Sequence, residues 1–131
     1  MANVSKYPLL MLVVFVILFG SASVLKSFGI FANQVRATEV MIGGDIYLHF
    51  IASFFLGQLC WLTTQRTSHF RLSIPTLTVL VLVVLDESLQ YLIPSRQFSW
   101  LDMTVNVFGV LLGTSFCSAI ATLRSKTKAI H

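Results

Sequence analysis

The chain has 131 residues, of which 56% are hydrophobic and only 11% charged, and its mean hydropathy is +0.83. Soluble domains carry about 25% charged residues, so this composition excludes an ordinary soluble core and points to one polytopic membrane domain over residues 1–131. The net charge of +4 is spread over short loops and termini, without the basic cluster and interleaved aromatics that nucleic-acid binding requires, so no nucleic-acid partner is expected.

A bilayer span takes about 20 mostly apolar residues. Four stretches qualify: residues 8–25, 46–62, 74–93 and 103–123. The first also has signal-peptide features, namely Lys6, the apolar run 9–19 and small residues at 20–23. Its length favours a retained span. The following loop, residues 26–44, is the longest and carries Phe28, Ile30, Phe31, Val35, Val40 and Ile42. It reads either as a segment lying over the end of the bundle or as a plain connector, with Gly43 and Gly44 giving a flexible turn into the second span.

The second span opens with Asp45 and His49, four residues apart and so on one helical face, which Ser53 and Gly57 continue. The third has a clean apolar run only over residues 74–85, too short to cross, and reaches spanning length by including Asp86, Glu87 and Gln90. Ser73 suits its N-cap, Pro75 its first turn, and Pro94 ends it. On the fourth, Asp102, Asn106, Gly109 and Gly113 form a stripe that is polar first and small deeper in, a pattern for close helix packing. Cys60 and Cys117 lie inside apolar segments without metal or haem spacing and read as packing residues rather than a disulfide. No repeat or low-complexity tract interrupts the chain.

Loop charge sets the orientation. With the N-terminus inside, Lys6, Arg66, Arg71, Arg124, Lys126 and Lys128 are cytoplasmic, and Lys26, Arg36 and Arg96 are outside. The expected fold is all-α, a four-transmembrane-helix bundle with both termini cytoplasmic. Asp86 lies seven residues before Ile93, about 10 Å along a helix. Asp45, His49, Asp102 and Asn106 begin their spans from the same side, so the polar residues converge on one layer in the outer half of the bilayer. An acid or arginine at mid-span costs roughly 2.5–3.5 kcal/mol on insertion scales, and ionisable groups at such depth mark a functional site by default. Arg96, in the short loop between the third and fourth spans, can fork onto a carboxylate or reach a lipid phosphate.

The residues Asp45-x3-His49-Phe50, then Asp86-Glu87-x2-Gln90, Pro94-x-Arg96, Ser99, Asp102, Asn106, Gly109 and Gly113, resemble the VanZ-like family of bacterial membrane proteins. The second block is ungapped over about 28 residues and is the more specific. The family often has Lys where this chain has Ile46, and Gly where it has Ser95; the first difference removes one phosphate contact. The resemblance implies a multi-pass protein of the bacterial inner membrane and cell envelope, in a family linked by name to teicoplanin resistance. It implies no reaction.

Three functions fit these residues. In the first, an outward-facing site takes a lipid-linked or head-group substrate. Gln90, Arg96 and Asn106 would bind it, and Asp45, His49, Asp86, Glu87 and Asp102 are the candidate acids and bases. A divalent ion held by carboxylates would serve the same chemistry, although sequence spacing assigns no metal site and no cofactor is expected. In the second, the chain is a non-catalytic envelope subunit whose polar residues hold the bundle together, at about 0.6 kcal/mol per interhelical hydrogen bond. Its partners are membrane lipids, a lipid-linked envelope precursor, an antibiotic or another membrane protein. The third, a proton path or transporter, suits a small chain without inverted repeats least well.

Overall fold

A computed structural model of the protein describes residues 5–64, 72–94, 96 and 98–129. Among these residues the regular structure is entirely α-helical: α1 Lys6–Ser27, α2 Ala32–Ile42, α3 Asp45–Thr64, α4 Ile74–Gln90 and α5 Trp100–Lys128. Arg66, Arg71 and Ser95, used above for orientation and for the family comparison, lie outside the described residues.

Three helices, α1, α3 and α5, are long and apolar enough to cross a membrane. The expected third span, residues 74–93, is the exception. Helix α4 has 17 residues and ends at Gln90 rather than at residue 93. At 1.5 Å per residue it is about 26 Å long, against a hydrocarbon core of about 30 Å. Its end has a local cause: the amides of Tyr91, Leu92 and Ile93 bond three residues back, to Ser88, Leu89 and Gln90, at 3.0–3.1 Å. This tightened turn runs into Pro94, which disfavours a helical conformation at the residue before it. At the start of α4, Ser73 Oγ accepts from the Thr76 amide at 3.4 Å and Pro75 falls in the first turn, as its sequence indicates. Ser99 caps α5 in the same way, accepting from the Asp102 amide at 3.2 Å.

The second difference lies in the long loop, which contains the 11-residue helix α2. Gly43 and Gly44 both take positive φ, 105° and 132°, and turn the chain from α2 into α3.

The long helices run antiparallel. The Ser5 amide, just before α1, bonds Thr63 O at the far end of α3, at 2.9 Å. Helices α3 and α5 make the closest pair, through the glycines that the sequence stripe singles out. A Cβ built at Gly57 would meet the Val110 carbonyl, one at Gly109 the Ser53 hydroxyl, and one at Gly113 the Phe54 carbonyl. The two backbones therefore touch, and Thr114 Oγ1 crosses to Gly57 O at 3.1 Å.

Burial is inverted relative to a water-soluble bundle. The apolar core is small: Leu12, Leu56, Leu59, Cys60, Val79 and Val110. Ser53, Thr63, Thr76, Glu87 and Gln90 are buried with it, while Leu10, Ile17, Leu18, Val81, Leu85 and Phe108 are exposed. A hydrocarbon surround removes the penalty on that exterior and leaves polar groups to seek partners inside.

The α3–α5 contact leaves no room for a side chain. Gly113→Ala should lower the thermal stability of the detergent-solubilised protein by about 1–3 kcal/mol, read as a fall in its melting midpoint by size-exclusion chromatography after heating. Gly20→Ala on α1, where a Cβ meets nothing within 4 Å, should be neutral or slightly stabilising. Equal behaviour of the two variants would refute the close contact.

Candidate functional site

Antiparallel packing gathers the C-terminal ends of α1 and α4, the N-terminal ends of α3 and α5, and helix α2 at one end of the bundle. The polar residues meet there in three groups.

The first group runs across four helices. Lys26 of α1 is ion-paired to Glu39 of α2 and stands 3.9 Å from Asp45 of α3. Asp45 Oδ1 lies 3.2 Å from His49 Nε2, one turn along the same helix. His49 Nδ1 in turn lies 3.2 Å from Asn106 Nδ2 of α5. Asp102, one turn before Asn106, completes the group: one ligand atom from each of Asp45, His49 and Asp102 falls within 4.8 Å of the others. All three side chains are part-buried.

The second group joins α4 to α1. Ser23 Oγ donates to Asp86 Oδ2 at 2.9 Å. Arg96 Nη1 donates to the same hydroxyl at 3.1 Å, to Ser23 O at 3.1 Å and to Ser27 Oγ at 3.4 Å. Among the described residues Arg96 makes no direct ion pair with a carboxylate. It reaches Asp86 through the Ser23 hydroxyl, which accepts from one and donates to the other.

The third group is Glu87 with Gln90. Successive residues on a helix are turned by about 100°, so Asp86 faces α1 while Glu87 points into the bundle at 1% exposure. Gln90 Nε2 donates to Glu87 Oε2 at 3.4 Å. Glu87 Oε1 has no hydrogen-bond partner within bonding distance among the described residues, though the Ser99 amide acts on it from further off.

Sequence spacing thus anticipates Asp45, His49, Asp102 and Asn106 as neighbours, and it places Asp86 and Arg96 in one region. It does not anticipate Ser23, Lys26 or Glu39. Lys26 and Glu39 are two of the three charged residues in the long loop, which is a usable signal. Ser23 carries none, being one small residue among several.

Between α1, α3 and α4 these groups open onto a cleft of about 480 Å³. Ser23, Lys26, Glu39, Asp45, His49, Asp86, Arg96 and Asn106 form its polar end. Val16, Leu56, Val79, Leu82 and Val83 form its apolar floor. Glu87, Gln90 and Asp102 do not line it. Cys60 and Cys117 are free thiols away from the polar end.

No protein-family model, curated protein or solved structure matches this chain. Any assignment of function therefore stands on the residues themselves.

The Ser23 bridge carries a direct prediction. Ser23→Ala should cost about 1–2 kcal/mol, because it strips a hydrogen bond from a carboxylate and another from a guanidinium. In a double-mutant cycle with Asp86→Asn the two effects should be non-additive by about 0.5 kcal/mol or more. Strict additivity in thermal unfolding would show that the hydroxyl does not couple α1 to α4.

Proposed function

We propose that this chain is a VanZ-like protein of the bacterial inner membrane. In this reading α1, α3, α4 and α5 all cross, both termini are cytoplasmic, and the polar end faces outward. The short α4 supports the four-span reading because it packs among three helices of spanning length and its turn extends it toward the same polar end. Position in the bundle, not length, carries it across. The basic residues Arg124, Lys126 and Lys128 at the end of α5 support the orientation.

The function that best suits this arrangement is binding of a phosphate-bearing lipid or lipid-linked envelope component. The observation that carries it is the division of the cleft into a polar end and an apolar floor. A head group and the start of an acyl or isoprenoid chain need that pairing. Arg96 is the phosphate contact: it has five donor N–H groups, and the contacts described above use Nη1 alone. Asn106 adds a polar contact at the cleft end, and Gln90 steadies Glu87. His49 and the carboxylates of Asp45, Asp86, Glu87 and Asp102 are the groups able to move a proton if the bound molecule is modified.

A second reading, a non-catalytic subunit whose polar residues only tie helices together, is favoured by one observation: Arg96 Nη1 is spent on α1. The two readings separate experimentally. Alanine at Asp86, Glu87, Arg96 or Asp102 should leave membrane accumulation near normal and abolish the envelope phenotype, such as glycopeptide sensitivity. Loss of accumulation in every variant supports the tying role instead.

Two measurements test the proposal. Native mass spectrometry of protein extracted in mild detergent should find one phosphate-bearing lipid per chain. Arg96→Ala should lower its retention about tenfold, the equivalent of one charged hydrogen bond, and Leu82→Trp should lower it by filling the floor. Retention that neither change affects defeats the reading. For topology, a cysteine replacing Phe98, with Cys60 and Cys117 changed to serine, should react with an impermeant maleimide in intact cells. Reaction only after permeabilisation reverses the orientation.

A further inference from the structure

We propose that Asp45, His49 and Asp102 form a binding site for a borderline divalent cation, Zn²⁺ or Mn²⁺, held between the N-terminal ends of α3 and α5. The site does not rest on the lipid reading. It stands on three side chains of complementary ligand type, which two rigidly apposed helices bring to within 4.8 Å of one another.

The donor set selects the metal. One imidazole nitrogen with two carboxylate oxygens suits Zn²⁺ or Mn²⁺ better than Ca²⁺, which takes six to eight oxygens. Three protein ligands with a position left over is the arrangement of a metal that binds a further molecule rather than of a closed structural site. A four-coordinate ion with bonds of about 2.1 Å sets its ligand atoms about 3.4 Å apart. Asp45 and His49 already meet this spacing at 3.2 Å, so Asp102, whose ligand atom is within 4.8 Å of theirs, has to close by at most about 1.4 Å, within reach of a side-chain rotation.

Asn106 is placed to hold His49 as a ligand once its amide turns over, since as it stands the amide nitrogen Nδ2 faces His49 Nδ1 at 3.2 Å and donates to it. An amide turned to present its oxygen accepts the Nδ1 proton and leaves the Nε2 lone pair pointing toward Asp45. Metal-binding histidines are fixed by such a partner on the other ring nitrogen.

A second observation points to a missing cation independently. Glu87 is 1% exposed, and its Oε1 lacks a hydrogen-bond partner among the described residues. It lies within electrostatic reach of both His49 and Asp102. Three carboxylates therefore surround one imidazole. Among the described residues no Lys or Arg nitrogen is within ion-pair distance of Asp102 or Glu87, and Lys26, which approaches Asp45, is already paired to Glu39. Arg96 acts on Glu87 from beyond that distance, and a divalent ion would add positive charge in direct contact with the carboxylates. Asp45 and His49 line the cleft, so the ion would stand at its wall.

The experiment uses the full chain in detergent, without a histidine tag and with His69 and His131 changed to glutamine so that His49 is the sole imidazole. After chelator treatment, Zn²⁺ or Mn²⁺ is titrated and bound metal is counted by mass spectrometry. One ion per chain is expected. His49→Gln or Asp102→Asn should lower affinity about a hundredfold, beyond the tenfold or so expected from an outer partner such as Asn106→Leu. Mn²⁺ bound to the parent protein should show electron-spin coupling to an imidazole nitrogen, a readout that holds even where a ligand variant fails to fold. Binding well below one ion per chain, no nitrogen coupling, or full binding by a folded His49→Gln variant would overturn the site. A protein that binds the ion but retains no lipid would leave the site standing and defeat the lipid reading, and the reverse result would do the opposite.

Discussion

The backbone contact between α3 and α5 is the constraint on which the rest depends. Gly57, Gly109 and Gly113 present no side chain of their own where the helices touch, and the Val110 carbonyl, the Ser53 hydroxyl and the Phe54 carbonyl occupy the space. In hydrocarbon no hydrophobic force pushes helices together, so packing at this distance and the hydrogen bonds it permits must hold the pair. The contact also fixes register. With Gly109 against Ser53, the turn above brings Asn106 to His49, and one turn further brings Asp102 beside Asp45. The polar site continues the glycine stripe one and two turns further along the same seam.

Helices α1 and α4 are held differently. Neither has a glycine seam; they meet at the polar end through Ser23, Asp86 and Arg96. The result is a rigid wall, α3 with α5, and a second wall tied to it by side chains, with the cleft between. That division explains why the cleft is polar at one end and apolar below. The ties must lie where water or head groups can share them, and the remaining length faces mostly apolar side chains.

Much of this was legible in the residues. The glycine stripe and the i, i+4 pairs Asp45–His49 and Asp102–Asn106 carry their geometry in their spacing, because a helix fixes which side chains share a face. The Ser73 cap and the Pro75 start of α4 were equally local. What spacing does not contain is the direction of the Asp86–Glu87 doublet. Two adjacent acids look alike in sequence, yet one faces α1 and the other the interior. The Ser23 bridge was hidden for a similar reason: 63 residues separate Ser23 from Asp86, and a serine in an apolar helix normally bonds its own backbone. The end of α4 at Gln90 was misjudged because hydropathy counts Tyr91 to Ile93 as span, whereas Pro94 dictates their backbone. Helix α2 is hard to read from sequence because the segment is only weakly apolar overall and its one buried residue, Glu39, is an acid paired to Lys26.

The central claim is that the cleft between these walls accepts a lipid chain. Photolabelling tests it most directly, using a phospholipid with a photoreactive group in its acyl chain, reconstituted with the protein and mapped by peptide mass spectrometry. Val16 and Val83 line the cleft and are half-buried. The account predicts that they are labelled along with exterior residues such as Leu10 and Leu123, and that excess unlabelled phospholipid suppresses the cleft sites first. Labelling confined to the exterior would contradict it.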